Sequence, residues 1–346
     1  MKYTIALPQS NRVGTPNAIR DVAQAADELG FWALSMHDHI FFDGGLMACG
    51  SDLDSGTQDI RTVYEPMTTY AHVAALTKQV ELLFGIMLLP ARETLMAAKQ
   101  LATLDQLSGG RVLLGIGVGL GGNETDPEFL PVSSKLAAKE WRALGVPARK
   151  RGKLTDERIA AMQALWSEGT ASYDGELVSF TDVPMFPKPA QSGGIPILIA
   201  GTSPAALRRT AKGGFGWLPS HLEPVELAGA IEELKKLHDQ YDTDFAGEVV
   251  VDVYMRPDES RAKAIEAFPG MIKDVFGPAL GDRNLLGTSE DLATRLTEYA
   301  AAGATAMNLK PIYHSVDELI ASMERFAREV VPVVPSSSVA DIRETA

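Results

Sequence analysis

The residues best suited to chemistry stand together in SMHDHIFFDGG, Ser35 to Gly45, where His37, Asp38 and His39 follow an apolar run and precede paired glycines. An imidazole titrates near neutral pH, can ligate a metal, and can exchange a proton with substrate. His37 and His39 lie two apart, so on a continuing strand both rings face the same way, as a metal-binding His-x-His requires. Asp38 beside His39 suggests instead an acid–base pair. In a third, inert reading one ring bonds loop backbone and the other meets solvent.

A metal clamp needs further ligands. The run IPILIAGTS carries no imidazole after its apolar part and NLKPIYH carries no Asp, which leaves only His221 and His314 as partners. No metal is therefore expected.

Two other stretches suit an anionic ligand. In GIGVGLGGNE, Gly115 to Glu124, glycines permit close backbone approach and expose N–H donors. The spacing is not the dinucleotide fingerprint, because no helix starts directly after Gly119 and no ribose-binding acid follows at the usual distance. A tight turn accounts for the same residues. In IAGTSPAALRRTAK, Ala200 ends a strand, Gly201 permits an unusual backbone angle, Thr202 adds a hydroxyl, Ser203 caps a helix and Pro204 takes its first position. Such a helix start favours phosphate. Capping alone explains Ser203 and Pro204 but neither Gly201 nor Thr202.

The elements that must carry these residues alternate between short apolar runs and longer amphipathic ones, the pattern of repeated βα units. Strands are expected over 3–7, 31–36, 80–89, 112–117, 195–200, 215–218, 249–254 and 305–309. Helices are expected over 16–29, 66–76, 91–107, 155–166, 204–212, 224–241, 260–276 (interrupted by Pro269 and Gly270), 288–302 and 317–330. Eight strands, each followed by a helix, predict a single α/β domain, a (β/α)8 TIM barrel over 1–332, with a frayed tail over 333–346. A long loop follows strand 2, and an insertion at about 120–153 follows strand 4, with its own short helix near 136–144. YDGE, Tyr173 to Glu176, marks a hairpin turn beside the core. In a barrel the functional face lies at the C-terminal strand ends, where all three stretches fall.

The remaining composition narrows the partners. The formal charge of −13 opposes nucleic acid and anionic lipid surfaces. A single cysteine, Cys49, allows no internal disulfide and fits a reducing compartment. The start MKYTIALPQ reads as a strand rather than a signal peptide, and LLFGIMLLP is too short to cross a bilayer, so a cytoplasmic location is expected.

Five stretches together carry a resemblance: AIRDVAQAADELGFWALSMHDHIFF, EPMTTYAHVAALT, LLPARETLMAAKQLATLDQLSGGRVLLGIGVG, RALGVPARKRGKLTDERIAAMQALW and ILIAGTSPAALRRTAKGGFGWLPS. Over about residues 1 to 330 the chain resembles the bacterial luciferase-like flavin and deazaflavin oxidoreductases. The resemblance implies a TIM barrel with an insertion, a homodimer, and FMN or coenzyme F420 at the C-terminal face. It places Asp38 and His39 at the family's Asp-His pair beside the ring, and Gly117, Val118 and Gly119 against the ring and its phosphate-bearing chain. Gly201, Thr202 and Ser203 fall in the phosphate region. Gly85 and Ile86 match a third-strand bulge where deazaflavin members hold a non-prolyl cis peptide.

The Asp-His pair, that bulge and the GTSPAALRR helix start favour F420, with FMN-dependent monooxygenation as the alternative. The implied reaction is hydride transfer between the deazaflavin and a small organic substrate, His39 exchanging the proton and Asp38 orienting it. Arg92, Arg151 and Lys153 would lie near the polyglutamate tail of F420, and His221 and His314 would line the pocket. Leu120 stands where the sugar-phosphate dehydrogenases of the family carry Glu, which argues against a glucose-6-phosphate substrate. A metallohydrolase and a non-catalytic flavin-binding protein are the readings from other classes.

Overall fold

A computed structural model describes residues 1–10, 13–40, 62–119, 132–268, 270, 273 and 277–334. The described strands are, in chain order, β1 (Lys2–Ala6), β2 (Ala33–Met36), β3 (Glu81–Leu88), β4 (Val112–Gly117), β5 (Ala171–Asp174), β6 (Ser179–Val183), β7 (Ile197–Ala200), β8 (Gly216–Leu218), β9 (Val250–Pro257), β10 (Leu285–Gly287) and β11 (Ala306–Pro311). The described helices are α1 (Pro16–Leu29), α2 (Pro66–Leu76), α3 (Thr94–Ser108), α4 (Val132–Ala143), α5 (Arg151–Trp166), α6 (Pro204–Gly213), α7 (Pro224–Tyr241), α8 (Arg261–Glu266), α9 (Ser289–Ala301) and α10 (Val316–Arg325).

Local chemistry sets several of these boundaries. Thr15 caps α1 by accepting from the Ala18 N–H at 3.1 Å, Pro16 takes the first position, and Gly30 ends the helix at φ 76°. Thr288 and Asp291 form a reciprocal capping box on α9, with the Thr288 N–H donating to Asp291 Oδ2 at 2.8 Å and the Asp291 N–H to Thr288 Oγ1 at 3.2 Å. The insertion helix is longer than expected, and α5 starts earlier, at Arg151.

The parallel sheet runs β10-β9-β11-β1-β2-β3-β4-β7-β8. Its β8 end meets β9: the Trp217 N–H donates to the Glu248 carbonyl, the Asp252 N–H to the Pro219 carbonyl and the His221 N–H to the Asp252 carbonyl, each at 2.8 Å. Eight strands thereby close into a (β/α)8 barrel. The ninth, β10, lies outside the ring on the far end of β9 and was not expected. It spans only Leu285 to Gly287, too few residues for a period to show. Antiparallel β5 and β6 make the hairpin expected around YDGE.

Alternation along the strands sorts the barrel interior into layers. Ala33, Leu83, Leu113, Leu198, Leu218, Val250 and Ala306 form one apolar cluster, each from a different strand, and so plug the lumen. Two residues further along the same strands come Ser35, Gly85, Gly115, Ala200, Ser220, Asp252 and Asn308, a layer that is small or polar. The next inward positions include His37, Gly117, Tyr254 and Lys310. The larger core, including Ile5, Leu34, Leu82, Leu114, Val251 and Leu309, lies between the barrel wall and its helices. The lumen is thus apolar at its lower level and polar at the C-terminal mouth. Among the described residues no helix is long and apolar enough to cross a membrane.

Candidate active site

The end of β2 is fixed from beneath by Gln9. Its Oε1 accepts from the His37 N–H at 2.7 Å, while its Nε2 donates to the carbonyls of His37 at 2.8 Å and Tyr64 at 3.1 Å. His37 is buried, and burial first, then His39 and Lys310, push its imidazole well below the usual range. It is a neutral ring at neutral pH.

Asp38 turns toward β3. Arg92 clamps it in a bidentate pair, Nη2 to Oδ1 at 2.5 Å and Nε to Oδ2 at 3.1 Å, and the Leu88 N–H donates to Oδ2 at 3.1 Å. Burial raises the Asp38 carboxyl, against the pull of Arg92 and that N–H. Arg92 also meets Glu65 at 2.9 Å. Asp38 therefore anchors the loop to the third strand, and the carboxylate that meets His39 comes from elsewhere.

That carboxylate is Glu140, on the insertion helix α4 and only 2% exposed. Its Oε2 lies 3.1 Å from His39 Nδ1, and its Oε1 accepts from the Ile40 N–H at 2.6 Å. A carboxylate can only accept, so Nδ1 is the protonated nitrogen and Nε2 the basic one. Trp141, the next residue, is buried over the end of β4: a Cβ on Gly119, which has φ 73°, would fall 2.1 Å from its ring. Arg151 lies 4.9 Å from the same ring and donates to the Val118 carbonyl at 3.2 Å.

The floor between β3 and β4 is built from the predicted glycines. The Gly85–Ile86 peptide is cis, as the family resemblance implied. A Cβ on Gly85 would point into the lumen, 3.3 Å from Ser35 Cβ and 3.5 Å from Asn308 Nδ2, and the Ile86 side chain crosses Gly117. At the end of β7, Gly201 has φ 101°, its carbonyl accepts from Trp217 Nε1 at 2.8 Å, and Ser203 Oγ caps α6 through the Ala206 N–H at 3.2 Å. Thr202 is exposed between them.

On the opposite side of the mouth stands a second group. Asp252 accepts from Lys310 Nζ at 2.5 Å, Asn308 Nδ2 at 2.8 Å and Ser220 Oγ at 3.3 Å. His221, at φ 52°, stacks on Tyr254 at 4.9 Å and bonds through Nδ1 to Asn284 Oδ1 at 3.0 Å. Burial lowers its pKa to about 4, against the attraction of Asp252. Lower in the lumen, Thr4 Oγ1 and Asn308 Oδ1 are buried with no partner among the described residues.

The strand ends thus bring His37, Asp38, His39, Gly85, Ile86, Gly117, Val118 and Gly119 to one wall, with Gly201, Thr202 and Ser203 at the start of the neighbouring α6. His314 lies apart, exposed, its N–H bonded to Glu318 Oε2 at 2.6 Å. Lys153 pairs with Glu176 on the exposed hairpin. Leu120, Glu124 and Cys49 lie outside the described residues.

Glu140, Asp252 and Asn308 were not expected. Asp252 had a signal, a lone carboxylate inside the apolar run VVVDVYM. Glu140 had none beyond its place on a helix beside Trp141.

The described residues suit a flat tricyclic ring. The glycines of β3 and β4 present backbone that can be approached without a Cβ in the way, the unpartnered Thr4 and Asn308 oxygens lie beneath, and the α6 start offers N–H groups to an anion. Among the described residues no cluster of His, Cys, Asp and Glu has the grouping a metal ion needs.

A closed barrel with its polar groups gathered at the strand C-termini belongs among the (β/α)8 enzymes. Residues 1–310 match the luciferase-like monooxygenase family, and the chain belongs to that family. Its members are flavin- or F420-dependent oxidoreductases and monooxygenases. An uncharacterized protein of Mycobacterium tuberculosis is 30% identical over 222 residues, 63% of this chain and 70% of that protein. The FMNH2-dependent dimethylsulfone monooxygenase of Pseudomonas putida is 30% identical over 191 residues, 54% of this chain and 44% of that protein. Among solved structures, monooxygenase RslO1 from Streptomyces bottropensis superposes with TM-score 0.75 at 21% identity, covering 96% of this chain and 99% of that one. An F420-dependent secondary alcohol dehydrogenase in complex with an F420-acetone adduct gives 0.74 at 18%, with the same coverage. At those identities the structures speak for the fold.

Proposed function

We propose that the protein is an oxidoreductase that transfers a hydride between coenzyme F420 and a small organic substrate at the C-terminal mouth of the barrel. The observation that carries this reading is His39 backed by the buried Glu140. Gly85 and Ile86 would form the floor under the ring, Gly117, Val118 and Gly119 its side, and Gly201, Thr202 and Ser203 the phosphate region. When bound, F420 supplies the hydride donor or acceptor.

The protein's own part is to hold and move a proton. Glu140 fixes Nδ1–H, so Nε2 of His39 takes a proton from a substrate hydroxyl or returns it to a carbonyl oxygen. Asp38 and Arg92 keep the β2 end seated on β3, and Trp141 ties the insertion helix to the same wall.

The second reading is an FMN-dependent monooxygenase, favoured by the FMNH2-dependent Pseudomonas putida relative. Absorbance titration with F420 and with FMN separates the two: F420 should bind more tightly, and tighter FMN binding reverses the choice. His39→Ala should leave cofactor affinity nearly intact and lower turnover by about 100-fold or more. Equal loss of binding and turnover removes His39 from the proton step.

A further inference from the structure

The β9–β11 wall, two strands round the ring from β2, holds the one largely buried lysine-carboxylate pair of the described lumen. Lys310 and Asp252 have side chains only 15% and 5% exposed. Strand alternation turns both inward, Asp252 one layer below Lys310 and level with Asn308. Burial is the main reason that two imidazoles, His37 at the end of β2 and His221 beyond β8, titrate low, and Lys310 adds a smaller effect on each. Those strands lie two places from β11 on either side in the ring order, so one ammonium reaches both across the lumen. His37 in turn lies 5.8 Å from His39, ring centre to ring centre. A row therefore runs from the Lys310 ammonium past a neutral imidazole to the proton-exchanging one.

The charge around this row bears on what it can receive. Lys310 faces Asp252, Arg92 faces both Asp38 and Glu65, and Glu140 meets the His39 ring. Arg151, on the insertion side, lies over Trp141 and donates to a backbone carbonyl. With Arg151 counted and His39 protonated, carboxylates and cations balance; with His39 neutral, carboxylates prevail. The whole chain adds −13. Among the described residues a substrate carboxylate would meet no excess of positive charge, whereas an uncharged oxygen gains a hydrogen bond from an ammonium without opposing Asp252.

We propose that Lys310 is a substrate-binding, specificity-determining residue that donates to an uncharged oxygen of the substrate (carbonyl, amide or hydroxyl), with Asp252 as its positioning partner, and that the mouth discriminates against carboxylates. The proposal rests on the oxidoreductase reading for the chemistry that follows binding, but the binding preference stands by itself.

The test uses an isosteric pair, benzamide and benzoate, with dissociation constants measured by ligand-observed NMR on the whole protein at pH 7.5. Wild type should bind benzamide about tenfold or more tightly than benzoate. The double variant Lys310→Met with Asp252→Asn removes both charges together, so no buried charge is left alone, and should weaken benzamide by about tenfold. Asp252→Asn alone retains the ammonium and should strengthen benzoate several-fold, narrowing the gap. Equal affinities in wild type, tighter benzoate, no binding of either probe, or a double variant that keeps the preference overturns the proposal. Failure to bind F420 or FMN would instead count against the oxidoreductase reading and leave these affinities to decide the role of Lys310.

Discussion

The two walls of the mouth are built differently. On the β2–β3 side, the carboxylate that holds His39 comes from α4, a helix 100 residues away in the chain. On the β9–β11 side, Asp252, Asn308 and Lys310 come from adjacent strands whose register pairs Asn308 with Asp252 directly. The first wall depends on how an insertion docks, whereas the second is part of the barrel's own hydrogen-bonded frame. The contrast teaches that an inserted helix can complete a site from outside the barrel, while the strand-borne wall is set by the register of adjacent strands.

Changes on each wall should therefore differ in kind, and the largest effect is expected where a buried charge loses its partner. Arg92→Met leaves Asp38 buried beside a single backbone donor and should cost about 3 kcal/mol, read as a lower denaturation midpoint. An unchanged midpoint would show that the β2 end does not depend on this clamp.

Next comes the pH response of the strand-borne wall. The unfolded His221 imidazole titrates near 6.5 and the folded one near 4, so between these values the unfolded chain binds the extra proton. Stability from this group is present above pH 6.5 and is lost as pH falls toward 4, by roughly 1–3 kcal/mol. His221→Asn tolerates the left-handed backbone at φ 52° and should flatten that part of the profile. Urea midpoints at pH 7 and pH 5 check it, and identical slopes in the two proteins would assign the acid sensitivity to other groups.

The inserted wall should respond in rate rather than in stability. Glu140→Gln keeps an acceptor for Nδ1–H but removes the negative charge beside the ring. Turnover should fall about tenfold with cofactor affinity unchanged. Unchanged turnover would reduce Glu140 to a docking contact. The smallest effect belongs to neither wall: Thr288→Ala removes the α9 cap and should cost about 1 kcal/mol or less while leaving activity intact.

Much of the architecture is legible in the sequence. The α1, α2 and α7 spans are those expected from the alternation of short apolar runs with longer amphipathic ones. The insertion after the fourth strand was equally visible. The ninth strand was not, because three residues carry no period and its pairing with Met255 to Pro257 is a tertiary event. The tail beyond 334 and the loop over 41–61 lie outside the described residues.

At the site, residue type and spacing singled out His37, Asp38 and His39, and the glycines that make the floor, because local backbone demands and strand ends leave marks in the sequence. Spacing also suggested that Asp38 serves His39, and there proximity along the chain misled. Successive side chains on an extended segment point apart, so Asp38 reaches Arg92 while His39 meets a carboxylate from another element. The sequence by itself determined the repeated βα pattern, the candidate imidazoles and the glycine-rich strand ends. Only the tertiary structure decided that Glu140 backs His39 and that Asp252 seats Lys310 in the lumen, because both depend on barrel closure and on helix docking, which bring together groups that no local spacing relates.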